Sequence, residues 1–265
     1  MCVACDSSSS HEPQQKAILA PKPPDSLPQK ITTYSDTTSR AQANASLAPA
    51  PFKEPEALTL PALTKLCLNK YGCLEERIFP LGWSADGKFA YLIEYPNEAV
   101  RDYTLSAYVL DATTNRRLDS FQFKASQQDG YEESSDQYNF SSVWAKTEKD
   151  IRKLLATHQI IAFNGTELHS LAALGITAQA QDEKEVSMLS GEEILRSHQL
   201  VLKSSEHSTR QLPGRTFGKY DLILATEVLG IFQNPLGEQR ILLEAQEQRG
   251  FEGPPNILQL HLVSF

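Results

Sequence analysis

Beyond residue 57, apolar residues recur at every second position over much of the chain. Between Lys88 and Tyr95, the residues Phe89, Tyr91, Ile93 and Tyr95 fall on one face of an extended chain. Ala90, Leu92 and Glu94 fall on the other, which is the period of a buried strand. Tyr103–Leu110 gathers Tyr103, Leu105, Ala107 and Val109 in the same way, and after the turn-rich residues 111–115 a third strand is expected over Arg117–Phe123. Near the C-terminus the pattern returns over Tyr220–Val228, Gln239–Ala245 and Ile257–Val263, the last with Leu258, Leu260 and Leu262 on one face.

The middle of the chain reads differently. Thr147 and Asp150 stand at capping-box-like spacing, and Ile151, Leu154 and Leu155 follow at helical intervals. That predicts a helix over 148–157, then a short strand over Gln159–Phe163. Ser190-Gly191-Glu192-Glu193 carries a second N-cap signature, predicting a short helix before a strand over Gln199–Lys203. Residues 125–142 and 204–218 read as polar loops. The expected class is α+β and β-rich, with mostly antiparallel sheet because the connections are short, and one or two short helices in the middle.

Two of the hairpins look alike. Gly87 to Glu94 aligns with Gly237 to Glu244, matching Leu92 with Leu242 and pairing Ile93 with Leu243; upstream, Leu81-Gly82 corresponds to Leu229-Gly230. A duplicated hairpin unit is the economical reading. Asp86-Gly87 is a two-residue turn signal, expected as a type I′ turn with positive φ at both positions.

Composition divides the chain. Residues 1–57 hold eight of the fifteen prolines, the Ser7–Ser10 run and many Gln, Ala and Thr residues. Such a stretch lacks the apolar surface to offset chain entropy and is expected to be a disordered tether, with residues 58–265 forming one β-rich domain. The net charge is −8 and no block of basic residues occurs, so the counterion-releasing face of a nucleic-acid binder is missing. No apolar run reaches the ~18 residues needed to span a bilayer.

Val3-Ala4-Cys5, followed by Asp6 and a serine-rich tether, resembles the end of a bacterial lipoprotein signal. The resemblance implies that Cys5 becomes a diacylated first residue and anchors the domain to a membrane, facing the periplasm, with Asp6 favouring the inner membrane. The basic and apolar leader of such a signal is not found between Met1 and Cys5, so this reading places the leader upstream. If Met1 is the start, the chain is cytoplasmic. Cys67 and Cys73 test the same idea. In an oxidising compartment they are expected to close a short disulfide worth ~2 kcal/mol, and in the cytosol to be two reduced thiols. A zinc site would need two further ligands, and no CxxC or HxxxH accompanies them.

"LGWSADGKFAYLIEY", "VLDATTN" and "RGFEGPPN" together resemble a family of predicted secreted bacterial proteins of unknown function, which carry an LGFS-x-DGK-like hairpin and a C-terminal GFEGP-like loop. The resemblance covers about residues 78–124 and 220–263. It implies an envelope location and a β-rich fold, and it supplies no activity.

Candidate chemistry is sparse. Gly82-Trp83-Ser84 begins like the G-x-S-x-G turn of a hydrolase, but Asp86 stands where the second glycine belongs and a strand follows, so Ser84 reads as a turn residue. The histidines at 11, 158, 169, 198, 207 and 261 never share i, i+4 spacing, and no metal site is expected. The glutamate pairs 75–76, 132–133 and 192–193 read as solvated or helix-capping. Glu94 and Glu244, on apolar strands, are expected to make a hydrogen bond or ion pair at a sheet edge, to a nearby arginine. Phe251 and Glu252, in a loop stiffened by Pro254 and Pro255, form a candidate binding loop. No phosphate-binding glycine loop occurs, so no cofactor is expected and no catalytic residue is assigned. The expected function is a binding or scaffolding domain with an unidentified protein or envelope partner. An envelope hydrolase, or a cytosolic interaction protein, is the alternative.

Overall fold

The computed structural model describes residues 53–60, 66–67, 71–96, 102–131, 138–162, 166–204, 208–250 and 253–265. The chain separates into two units, Met1–Ser46 and Leu47–Phe265, and the described residues all lie in the second. The proposed tether therefore falls outside the described residues as far as position 52, and Cys5 with it.

In chain order the first strands are β1 (Cys73–Glu75), β2 (Arg77–Trp83), β3 (Lys88–Tyr95), β4 (Thr104–Asp111) and β5 (Arg116–Lys124). Helix α1 (Phe140–Thr157) follows, then β6 (Ile161–Ala162), β7 (Leu168–His169), β8 (Ile176–Val186) and β9 (Glu193–Ser204). The chain ends with β10 (Thr209–Gln211), β11 (Arg215–Thr216), β12 (Ile223–Gln233), β13 (Arg240–Gln248) and β14 (Asn256–Ser264). The fold is β-rich α+β, as expected, and every pairing is antiparallel except that of β1 with β14.

The strands form three sheets, ordered β5-β4-β3-β2-β6, β1-β14-β13-β12-β7, and β10-β9-β11 with β8 on the other side of β9. Period-two alternation sorts their side chains into three cores. Ala90 and Leu92 of β3, with Leu105, Ala107 and Val109 of β4, pack on Val143, Trp144, Ile151 and Leu155 of α1, and Phe79 stacks on Phe140 with 4.0 Å between ring centroids. The opposite face of β3, Phe89, Tyr91 and Ile93, meets Ile241, Leu243 and Ala245 of β13 and Leu258 and Leu260 of β14. The far face of that second sheet, through Ile231 and Leu242, packs on Ile176, Leu200, Leu202 and Leu212. One helix and three sheets thus stack as four layers.

The two long sheets share more than a hairpin. Each has a register shift at a Leu-Gly pair, between Pro80 and Gly82 in β2 and between Val228 and Gly230 in β12. Each then pairs with a two-residue edge strand beyond the bulge, β6 or β7. The bulge re-aims the chain, so Leu81 faces the helix and Trp83 the second sheet. Counting from the bulges corrects the sequence alignment. Glu244 lies opposite Val228, whereas the residue opposite Pro80 is Tyr91, so Glu94 and Glu244 are not equivalent positions.

Three local expectations change. Helix α1 opens at Phe140 rather than 148, because Asn139 and Ser142 form a reciprocal capping box with both bonds at 3.0 Å. Thr147, expected near the cap, is buried in mid-helix with its hydroxyl donating to Val143 O at 2.9 Å. No helix forms at Ser190. Residues 187–192 turn instead between β8, which the sequence pattern did not reveal, and a β9 that begins at Glu193. The Ser84–Gly87 turn is also not type I′. Gly87 alone has positive φ (+88°), and its N–H donates to Ser84 O at 3.2 Å, so a left-handed glycine closes the loop.

Candidate functional site

The sheet carrying β9 brings charged groups onto a face that is elsewhere apolar. Along β9, His198, Leu200 and Leu202 alternate towards the second sheet. Asp182 of β8 lies opposite His198 on one side and Arg215 of β11 on the other, so the three form one cross-strand row. Facing them, β13 presents Leu242, Glu244 and Gln246 in alternation, and β14 pairs His261 with Glu244.

The side chains close into a network. His198 Nδ1 lies 2.6 Å from Asp182 Oδ1, and Nε2 lies 3.3 Å from Glu244 Oε2. Thr226 Oγ1 is 3.2 Å from the same Nδ1. Arg215 ion-pairs with the other Glu244 oxygen and donates to Gln246 Oε1 at 3.2 Å. Glu244 is 1% exposed and His198 3%, which makes this the most deeply buried charge cluster among the described residues. A depression of about 430 Å³, lined by Asp182, His198 and Arg215 with Ser197, Gln199 and Thr216, lies over the row.

Electrostatics favours the imidazolium at His198. Burial works against an imidazolium at His198, but the Glu244 and Asp182 carboxylates outweigh it and hold its pKa above the ordinary 6.5. With His198 protonated, two carboxylates balance one imidazolium and one guanidinium. His261 goes the other way: burial, with Arg215 beside it, lowers it to about 4, so it is neutral, and its Nε2 is buried without a hydrogen-bond partner. An imidazolium with a carboxylate at each nitrogen has no lone pair with which to take a proton from a nucleophile. The arrangement acts as an ionic clamp between two sheets.

The residues singled out in the sequence disperse. Ser84 is fully buried, donating to Asp86 Oδ1 at 2.5 Å and accepting from Lys88 N–H at 2.8 Å. Glu94 pairs with Arg77 at 2.6 Å and Glu244 with Arg215, the partner type expected, but β3 and β13 are interior strands and neither acid is at a sheet edge. Cys67 and Cys73 lie at disulfide distance, 1.94 Å between sulfurs, and the Glu247 carboxylate accepts from Cys67 N–H at 3.1 Å. Glu76, read as solvated, is buried, and Glu192 and Glu193 pair with Arg249 and Lys184 instead of capping a helix. Cys5, Phe251 and Glu252 lie outside the described residues.

The histidine reading missed His198 because it sought metal spacing within one segment. The signal that finds it is a polar residue standing in an otherwise apolar alternation, as at His198, Glu244 and His261. Among the described residues no helix is long and apolar enough to cross a membrane. Comparison with family models, curated proteins and solved structures finds no significant match.

Proposed function

We propose that this chain is a non-catalytic binding or scaffolding module, lipidated at Cys5 and held at a bacterial cell envelope. The observation that carries the non-catalytic part is the state of the catalytic suspects. Ser84 is spent on its own turn, Glu94 on Arg77, and the histidine that Glu244 meets, His198, has a carboxylate at each imidazole nitrogen. The hydrolase reading needs Ser84 beside an imidazole nitrogen, and its hydroxyl bonds to Asp86 and Lys88 instead. Cys67 and Cys73 at disulfide distance support an oxidising compartment.

The test is metabolic labelling with a radioactive fatty acid, followed by membrane fractionation of the wild type and Cys5→Ala. The proposal expects label and membrane association in the wild type, both lost in the variant, and a disulfide-linked Cys67–Cys73 peptide on non-reducing mass spectrometry. An unlabelled wild type that fractionates like Cys5→Ala would sink the envelope assignment.

A further inference from the structure

Strands β8 and β9 pair from Ile176↔Ser204 to Val186↔Glu193, and the two ends of this hairpin carry complementary surfaces. At the turn, buried Ser187 points inward. Its hydroxyl accepts from the N–H groups of Leu189 and Ser190 at 3.2 and 3.3 Å, and Gly191 N–H donates to Ser187 O at 2.8 Å. Arg249 ties Glu192 to the end of β13. This bracing turns Val186, Met188 and Leu189 outward, and Met188 is fully exposed. A braced apolar tip loses little entropy on docking. The hairpin below it keeps a net negative charge, with five acidic residues against two basic ones over residues 182–196; Asp182, Glu185, Glu192 and Glu193 also make ion pairs of their own, and Glu183 makes none among the described residues.

At the other end, Ile176, Leu202 and Phe265 line a cavity of about 450 Å³, flanked by Arg210 and Arg240, with Glu238 the one acidic side chain on its wall among the described residues. Neither guanidinium pairs with a carboxylate among the described residues. The volume falls within the ~300–1,000 Å³ of sites that enclose a small ligand or a few side chains.

We infer that a second copy of this chain occupies the cavity: the Met188–Leu189 tip of one copy docks on Ile176, Leu202 and Phe265 of the next, with its acidic hairpin against Arg210 and Arg240. The two surfaces stand at opposite ends of an eleven-residue strand. At ~3.3 Å per residue they are ~35 Å apart, so a tip cannot reach its own cavity. The contact is head-to-tail and self-propagating unless it closes into a ring. This inference goes beyond the proposed function and does not depend on where the protein resides.

Sedimentation velocity over a concentration series of the full chain tests it. The wild type is expected to gain mass with concentration. Met188→Ser, which removes the apolar anchor, and separately Arg210→Glu/Arg240→Glu, which sets carboxylates against the acidic hairpin, should each weaken association by about tenfold or more. Leu189→Ser is a second tip variant, and Met188 and Leu189 are exposed enough that folding is not at stake. The decisive arm mixes the Met188→Ser and Arg210→Glu/Arg240→Glu proteins. One retains a working cavity and the other a working tip, so together they should form a dimer that grows no further. A wild type monomeric at every concentration, association that survives both changes, or a mixture that stays monomeric would overturn the inference.

Discussion

Replacing Glu76 with Gln should stabilise the protein at neutral and alkaline pH and do little in acid. Glu76 sits between β1 and β2, is 7% exposed, and extends the β1–β14 ladder by donating its N–H to Leu258 O at 3.0 Å. One carboxylate oxygen accepts from Leu260 N–H at 2.7 Å, and no cation pairs with it among the described residues. Burial raises its pKa from 4.5 to about 7, with the Leu260 N–H pulling the other way. The folded protein therefore holds this proton more tightly than the unfolded chain. The contribution of Glu76 is fully present below about pH 4.5 and is lost as pH rises to about 7. At ~1.4 kcal/mol per pKa unit, the ionised carboxylate costs about 3 kcal/mol above neutrality.

Glu76→Gln keeps the acceptor oxygen and removes the charge. Its extra amide hydrogens cost a pH-independent amount if they find no partner, so the slope carries the information. Urea unfolding of both proteins, at intervals from about pH 4 to about pH 8, should show curves that diverge with rising pH. For a domain of this size, 3 kcal/mol corresponds to a Tm gain of ~6–12 °C near pH 8. A stability difference that is constant across the range, or that widens towards acid, would refute the reasoning.

The remaining predictions concern the clamp, the cystines and the bulge. Glu244→Ala leaves Arg215 and His198 without their shared carboxylate and should cost ~3–5 kcal/mol in chemical denaturation. His198 has a raised folded pKa, so its contribution is present below 6.5 and drains as pH rises through that folded value. His198→Gln should lose that alkaline slope when stability is measured against pH. Cys67→Ser/Cys73→Ser opens a loop of six-residue separation and should lower stability by about 2 kcal/mol, an effect that a reductant reproduces in the wild type. Gly230→Ala would place a Cβ 2.6 Å from Leu168 Cγ and 2.7 Å from His169 O; because the second contact is backbone, about 1–3 kcal/mol should be lost, read as a fall in Tm.

Strands with one clear apolar face were legible in the sequence. β3 falls where its alternation places it, and β4, β5, β13 and β14 fall within a few residues of theirs, because a buried face leaves a period-two mark. β8 was not legible. After Ile176 it is exposed along its whole length, and Thr177 to Glu185 offers no apolar alternation to read. The start of α1 was missed for a related reason. Asn139 and Ser142 cap it through side-chain bonds that look like loop composition in the sequence, while Thr147 and Asp150 imitate a cap by spacing alone. The bulge at Leu229-Gly230 was visible as a repeat of Leu81-Gly82, but its register consequence was not. The shift depends on which residue the partner strand skips.

The clamp was illegible for a different reason, and the same physics explains its place. Its members come from β8, β9, β11 and β13, and one pairing register brings them together. Near the cavity the third sheet attaches by apolar contact, Leu200 and Leu202 against Ile231 and Leu242. Such a contact tolerates sliding by two residues, since the same face stays buried. The row at His198 does not tolerate it. A two-residue slip of β9 would bring Leu200 or Arg196 to the Glu244 carboxylate in place of His198 and separate Asp182 from the imidazole. With Leu200 there, a nearly inaccessible carboxylate would lose half of its pairing. The clamp therefore fixes the register that apolar packing leaves degenerate.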